Sequence, residues 1–179
     1  MLHIVLERDE VYNERLQEFQ LRASETLTFE HSLVSLSKWE SFWELPFINT
    51  EKTTEQTRWY IKAMCLDEAV TDETLARLKV EDVQTLQAYI ESKMTATWFA
   101  EDPNRVRKNE VITAEVIYYM MIGLSIPFEC QHWHLNRLLT LIQVCSEKNA
   151  PKKKMSRQDI AQKNRDLNAQ RLAQYNTSG

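Results

Sequence analysis

The 179-residue sequence predicts a mostly α protein: a helical domain with a small N-terminal antiparallel β-hairpin and a basic C-terminal helix. Three observations carry that prediction. Gly123 is the only glycine inside the chain, the other being the last residue. Phosphate-cradling loops, dinucleotide-binding fingerprints and tight hairpin turns need glycine for positive φ or close backbone approach. Apolar residues recur at three- and four-residue intervals through most of the chain, which is the spacing of a helix face. Residues 1–31 depart from it toward strand-like alternation.

Within that segment LHIVLE alternates apolar and polar positions, and LRASETLTFEH, residues 21–31, does so less cleanly. The polar RDEVYNERLQEF between them predicts a turn, so the segment is expected to form one hairpin. A lone two-stranded hairpin is marginal in water. The helices that follow are its expected support.

HSLVSLSKWESFW offers Ser32 as N-cap and sets Leu33, Leu36, Trp39 and Trp43 on one helix face, with Pro46 as terminator. TTEQTRWYIKAMCL starts at Thr53 or Thr54 and is expected to turn Trp59, Ile61, Met64 and Cys65 or Leu66 inward. Two short helices follow, one after Thr71 and one from about Val80, and then a charged loop over residues 94–110. TAEVIYYMMIGLSI is the most apolar segment and the expected central helix. Pro127 suits the first turn of a helix reaching about Lys148. The segments 113–145 are therefore expected to build the core. NAPKKK breaks the helical pattern as a linker, and Ser156 caps a last polar helix. The expected organisation is a hairpin segment 1–31, a helical core domain 32–150, and a basic linker and helix 151–179.

Charge divides along the same line. Residues 152–179 hold seven basic and two acidic side chains, a balance of +5, against −9 for the rest of a chain whose net charge is −4. A basic tail on an acidic body suits an acidic protein partner, its own body or nucleic acid. Tails that grip nucleic acid interleave aromatics for stacking, and only Tyr175 is present here. Three scattered cysteines, Cys65, Cys130 and Cys145, predict a reducing compartment. The N-terminus lacks the pattern of a secretion signal, and no stretch reaches the ~20 apolar residues of a membrane helix. A soluble, intracellular protein is expected.

One stretch, FECQHWHLNRLL, concentrates residues capable of chemistry. On a helix Cys130 and His134 share a face while His132 points away. That supplies at most two ligands, where structural zinc takes four and catalytic zinc three. A cysteine nucleophile needs a lowered pKa and an orienting third group, which a sequence does not show, although Cys130 sits near the expected helix N-terminus. Cys130 and the core leucines are therefore expected to pack, with His134 and Asn136 bonded to loop backbone. No catalytic, cofactor or metal site is expected. The aromatic run WESFWELPF is weighed differently. Trp39, Phe42 and Trp43 predict either core packing or an exposed anchor for a protein partner, and Lys152, Lys153, Lys154 and Arg157 are the matching basic candidates.

The stretches LTFEHSLVSLSKWESFWELPF, EQTRWYIKAM, MTATWF, ITAEVIYYMMIGLSIPFEC, WHLNRLLTLIQVCSEKNAPKKKMS and RDLNAQRLAQYNTSG resemble small morphogenesis proteins of long-tailed, siphovirus-type bacteriophages. The resemblance covers nearly the whole chain from Leu27 onward. Some members of that family are labelled tail assembly chaperones, which coat the tape-measure protein before the tail tube polymerises around it. The resemblance implies a non-enzymatic tail assembly factor in the host cytoplasm, binding tape-measure or other virion proteins, with self-association as a further expectation. It brings no catalytic motif. A structural virion component, such as a connector or a capsid or tail protein, is the alternative reading. A nucleic-acid-binding factor acting through the basic segment is the third.

Overall fold

The computed structural model describes residues 1–67, 70–97, 99 and 111–150, together with 161, 162, 164, 165 and 168. The chain divides into two compact units, Met1–Ser146 and Glu147–Gly179. In the second unit the described residues from 161 onward are helical. The remainder of the expected basic linker and helix lies outside the described residues.

The first unit opens with four strands, β1 (Leu2–Leu6), β2 (Asp9–Asn13), β3 (Glu18–Arg22) and β4 (Glu25–Phe29). They pair antiparallel as β1 with β4 and β2 with β3. Leu2 faces Phe29, Leu6 faces Glu25, Asp9 faces Arg22 and Asn13 faces Glu18, so paired residue numbers always add to 31. The two sheets are therefore successive halves of one ribbon, interrupted at 7–8 and 23–24. Arg77 fills the interruption. Its Nη2 donates to the carbonyl oxygens of Glu7 at 2.7 Å and Ala23 at 3.1 Å.

The expectation of a mostly α protein with one small hairpin is overturned by these strands. Two antiparallel sheets accompany six α-helices among the described residues, an α+β arrangement. The segment expected to be a polar turn is itself a hairpin. Asn13 replaces the missing turn glycine by accepting the N–H groups of Arg15 and Leu16 on its side-chain oxygen. Gln17 takes the left-handed conformation at φ 54°.

The helices follow the caps. α1 (Leu33–Trp43) begins at a capping box formed by Ser32 and Ser35, and α2 (Thr54–Met64) at one formed by Thr53 and Gln56. α3 (Asp72–Leu75) is capped by Thr71, and α4 (Val80–Glu91) follows it directly. α5 (Ala114–Gly123), a 3-10 turn (Phe128–His132) and α6 (Leu135–Asn149) complete the unit. With no glycine after α1, Glu44 takes the left-handed cap at φ 52°, two residues before Pro46.

α1 is the central helix. It packs on α2, α5 and the 3-10 turn, and it feeds two apolar clusters. Leu33 and Leu36 join Ile117, Met121, Leu135, Leu138 and Ile142 from α5 and α6. Trp39 joins Ile4, Leu27 and Phe29 of the ribbon with Tyr60, Met64 and Leu86. The core is thus wider than the expected 113–145. α5 is not central, since Tyr119 and Ile122 are 76% and 63% exposed. An apolar side chain contributes burial energy only on the stripe that meets other elements.

Candidate functional site

The chemically richest side chains lie in a buried polar layer where the ribbon meets α1, α2 and α6. His31 and His134 face each other edge to face, ring centroids 5.1 Å apart. The strand exit is held to the start of α6 by the N–H of Leu135, which donates to the carbonyl of His31 at 2.7 Å. His31 Nδ1 lies 2.6 Å from Tyr60 Oη, which lies 3.3 Å from Ser35 Oγ. Ser35 Oγ donates in turn to the carbonyl of Ser32 at 2.8 Å. With its proton on Nδ1, His31 donates to Tyr60, Tyr60 to Ser35 and Ser35 to Ser32, and every hydroxyl is satisfied.

The electrostatics fit neutral groups throughout. Burial, reinforced by His134 and Lys52, pushes His31 down to about 3. Burial raises Tyr60 above its ordinary range. His134 is also lowered, mainly by burial. A serine, a tyrosine and two histidines could form a nucleophile and its base. Here Ser35, Tyr60, His31 and His134 are all buried, and Ser35 is committed to the α1 cap. The layer joins secondary-structure ends; it does not present reactive atoms.

The same conclusion covers the stretch around Cys130. No continuous helix forms there. Cys130 and His132 lie in the 3-10 turn, Trp133 is extended, and α6 starts at Leu135. Cys130 packs in the α5–α6 cluster while His132 is exposed. As expected, His134 and Asn136 bind backbone. His134 Nε2 donates to the carbonyl of Tyr89 at 2.9 Å, and Nδ1 accepts the N–H of Asn136 at 3.3 Å. The Asn136 amide donates to the carbonyls of Ile90 and Ser92, so the two residues satisfy the C-terminal end of α4. No group of three or more metal-ligating side chains exists among the described residues.

The aromatic run, by contrast, divides between interior and surface. Trp39 is fully buried and donates its indole N–H to the carbonyl of Gln56 at 3.1 Å. Trp43 is half-buried, and Phe42 meets it edge on at 5.2 Å. Phe42 itself is 59% exposed and stacks on Trp59 of α2, with centroids 4.8 Å apart and planes 24° from parallel. This pair lines an open groove of about 1270 Å³ between α1, α2, α3 and the start of α4. Ile61, Leu75, Leu78 and Val83 continue its apolar wall. Lys62 on its rim is paired with Asp72 at 2.7 Å. Lys38 and Arg58 line it without an ion pair among the described residues, against Glu55.

Of the residues expected to contact a partner, the structure places Phe42 in this groove, Trp43 beside it and Trp39 beneath it. Lys152, Lys153, Lys154 and Arg157 lie outside the described residues. Trp59, expected to turn inward, is half-buried: it packs against the Trp39 cluster and also stacks on Phe42. α2 buries Gln56, Tyr60, Ile61 and Met64, and Trp59 lies at the edge of that face. No helix among the described residues is long and apolar enough to cross a membrane. No family model, curated protein or solved structure matches the chain.

Proposed function

We propose that this chain is a bacteriophage tail morphogenesis protein, a tail assembly chaperone that docks a helical segment of the tape-measure protein between α1 and α2. The single observation that carries the docking site is the stack of exposed Phe42 on half-buried Trp59 in an open groove. Amphipathic helices bind by laying apolar anchors into such grooves. Large aromatics supply much of the energy at the centre of an interface. Lys38 and Arg58 favour a helix whose apolar stripe is edged by carboxylates, because neither has an ion pair among the described residues. The sequence resemblance supports the phage setting and the identity of the partner.

Co-expression with the tape-measure protein of the same phage tests this reading. The full chain is expected to keep the tape measure in solution and to co-purify with it. Phe42→Ser and Trp59→Ala should each weaken binding by about 2 kcal/mol, roughly thirtyfold in affinity. Failure to co-purify, with many copies of the chain in mature virions, would favour the structural alternative.

A further inference from the structure

The distal half of the ribbon carries an apolar face that is exposed among the described residues. Tyr12 and Phe19 face each other across β2 and β3, ring centroids 5.2 Å apart. Glu10 opposes Leu21 on the same side, and Leu16 sits in the loop. Tyr12, Leu16, Phe19 and Leu21 are 49%, 55%, 69% and 51% exposed. Two-stranded hairpins rarely hold their shape alone, and this one is braced from its base. Arg77 bonds both strands at the interruption, Lys79 pairs with Glu7 at 2.6 Å, and Arg22 approaches Glu73 at 3.8 Å. An apolar face held out on such a brace is arranged for contact.

We propose that this hairpin docks in the Phe42–Trp59 groove of a second copy of the chain, an inference that rests on the reading of that groove as a docking site. Charge selects the occupant. The hairpin bears Glu10, Glu14 and Glu18 against Arg15, none in an ion pair among the described residues, and the groove bears Lys38 and Arg58, likewise without an ion pair among the described residues, against Glu55. Aromatic meets aromatic, and acid meets base. The chain's own hairpin is excluded from its own groove. Glu73 of α3 holds the hairpin through Arg22, while Asp72 and Leu75 of the same short helix, and Ala76 at its C-cap, line the groove. Area argues the same way. A flat contact over the hairpin's apolar face would bury on the order of a few hundred Å², below the ~800 Å² per partner of a stable interface. A groove that takes the hairpin between two walls raises that figure. Each copy then offers one hairpin and one groove, and the hairpin competes with the tape-measure segment for the same aromatic stack.

Sedimentation equilibrium of the full chain tests the proposal. The wild-type chain should associate with rising concentration, and more weakly at high salt. Reversing the hairpin (Glu10→Lys, Glu14→Lys and Glu18→Lys) or the groove (Lys38→Glu and Arg58→Glu) should each weaken association about tenfold. Mixing the two reversed chains should restore it, because each reversed surface then meets its complement. Tyr12→Ser with Phe19→Ser gives an independent hairpin variant should a charge reversal fail to fold. A wild-type chain monomeric at every concentration, association that survives both reversals, or a mixture that stays apart would overturn the proposal. Loss of tape-measure co-purification with self-association intact strikes only the proposed function; the opposite result strikes only this inference.

Discussion

The carboxylate of Glu40 in α1 accepts the backbone N–H of Ala114, the first residue of α5, at 2.7 Å across 74 positions of sequence. Its other oxygen accepts the N–H of Phe47 at 2.7 Å. Thr113, at the N-cap of α5, makes no side-chain cap bond. Glu40 supplies the acceptor from another helix, and its charge meets the positive end of the α5 dipole. Both oxygens are used, which explains how a carboxylate tolerates burial.

Replacing Glu40 should therefore cost more than an average substitution. Glu40→Ala leaves two N–H groups without acceptors and is expected to lose about 2–4 kcal/mol. Glu40→Gln keeps one acceptor and should lose about 1–2 kcal/mol. Urea denaturation followed by tryptophan fluorescence reads both values. Equal stability of wild type and Glu40→Ala would remove the cap from this account.

How far the sequence carried the fold can be judged from such residues. Ser32, Thr53 and Thr71 announced three helix starts because a cap is a local event, settled within three residues. Glu40 and Arg77 were not legible, since nothing in their neighbourhoods names partners tens of residues away. The β2–β3 hairpin was hidden for a different reason. Both its faces are largely open to solvent, so charged residues replaced the alternation that marks a strand with one side buried. At the site, WESFW drew attention to the correct turn of α1. Period put Trp39 and Trp43 on the apolar face of α1 and left Phe42 off it, but the stacking partner Trp59 depended on where α2 packs.

Arg77 yields the second prediction. Its side chain is 9% exposed and lies 3.4 Å from Asp9 and 3.6 Å from Glu25, besides bonding the two ribbon carbonyls. Arg77→Met fills similar space without donors and should destabilise by about 2–3 kcal/mol. Arg77→Lys should not rescue, because one ammonium lacks the planar fork that bonds two carbonyls while lying beside two carboxylates. Amide hydrogen exchange gives the sharper readout. Protection should fall across 9–22 while amides in α5 and α6 change little. Uniform loss over the whole unit would mean that Arg77 supports the core rather than the ribbon.

The buried imidazoles give a prediction in pH. His31 titrates near 6.5 when unfolded and near 3 when folded, because burial, His134 and Lys52 all oppose its charge. Between those values the unfolded chain holds a proton that the folded chain refuses, so lowering the pH favours unfolding. Stability should be level above about pH 7 and fall below about 6.5, by up to ~1.4 kcal/mol per pH unit from His31. His134 is shifted in the same direction and steepens the decline. Tyr60 stays neutral throughout, its own titration raised by burial. The window between pH 5 and 6.5 isolates the histidines, because carboxylates titrate mostly below it. His31→Gln removes one titrating group while keeping a polar partner for Tyr60. It should lower stability at pH 7 through imperfect hydrogen bonding, yet flatten the slope between pH 6.5 and 5. Urea midpoints for both chains across that window decide the matter: parallel slopes would show that His31 is charged in the folded protein and that the neutral relay from His31 through Tyr60 to Ser35 is wrong.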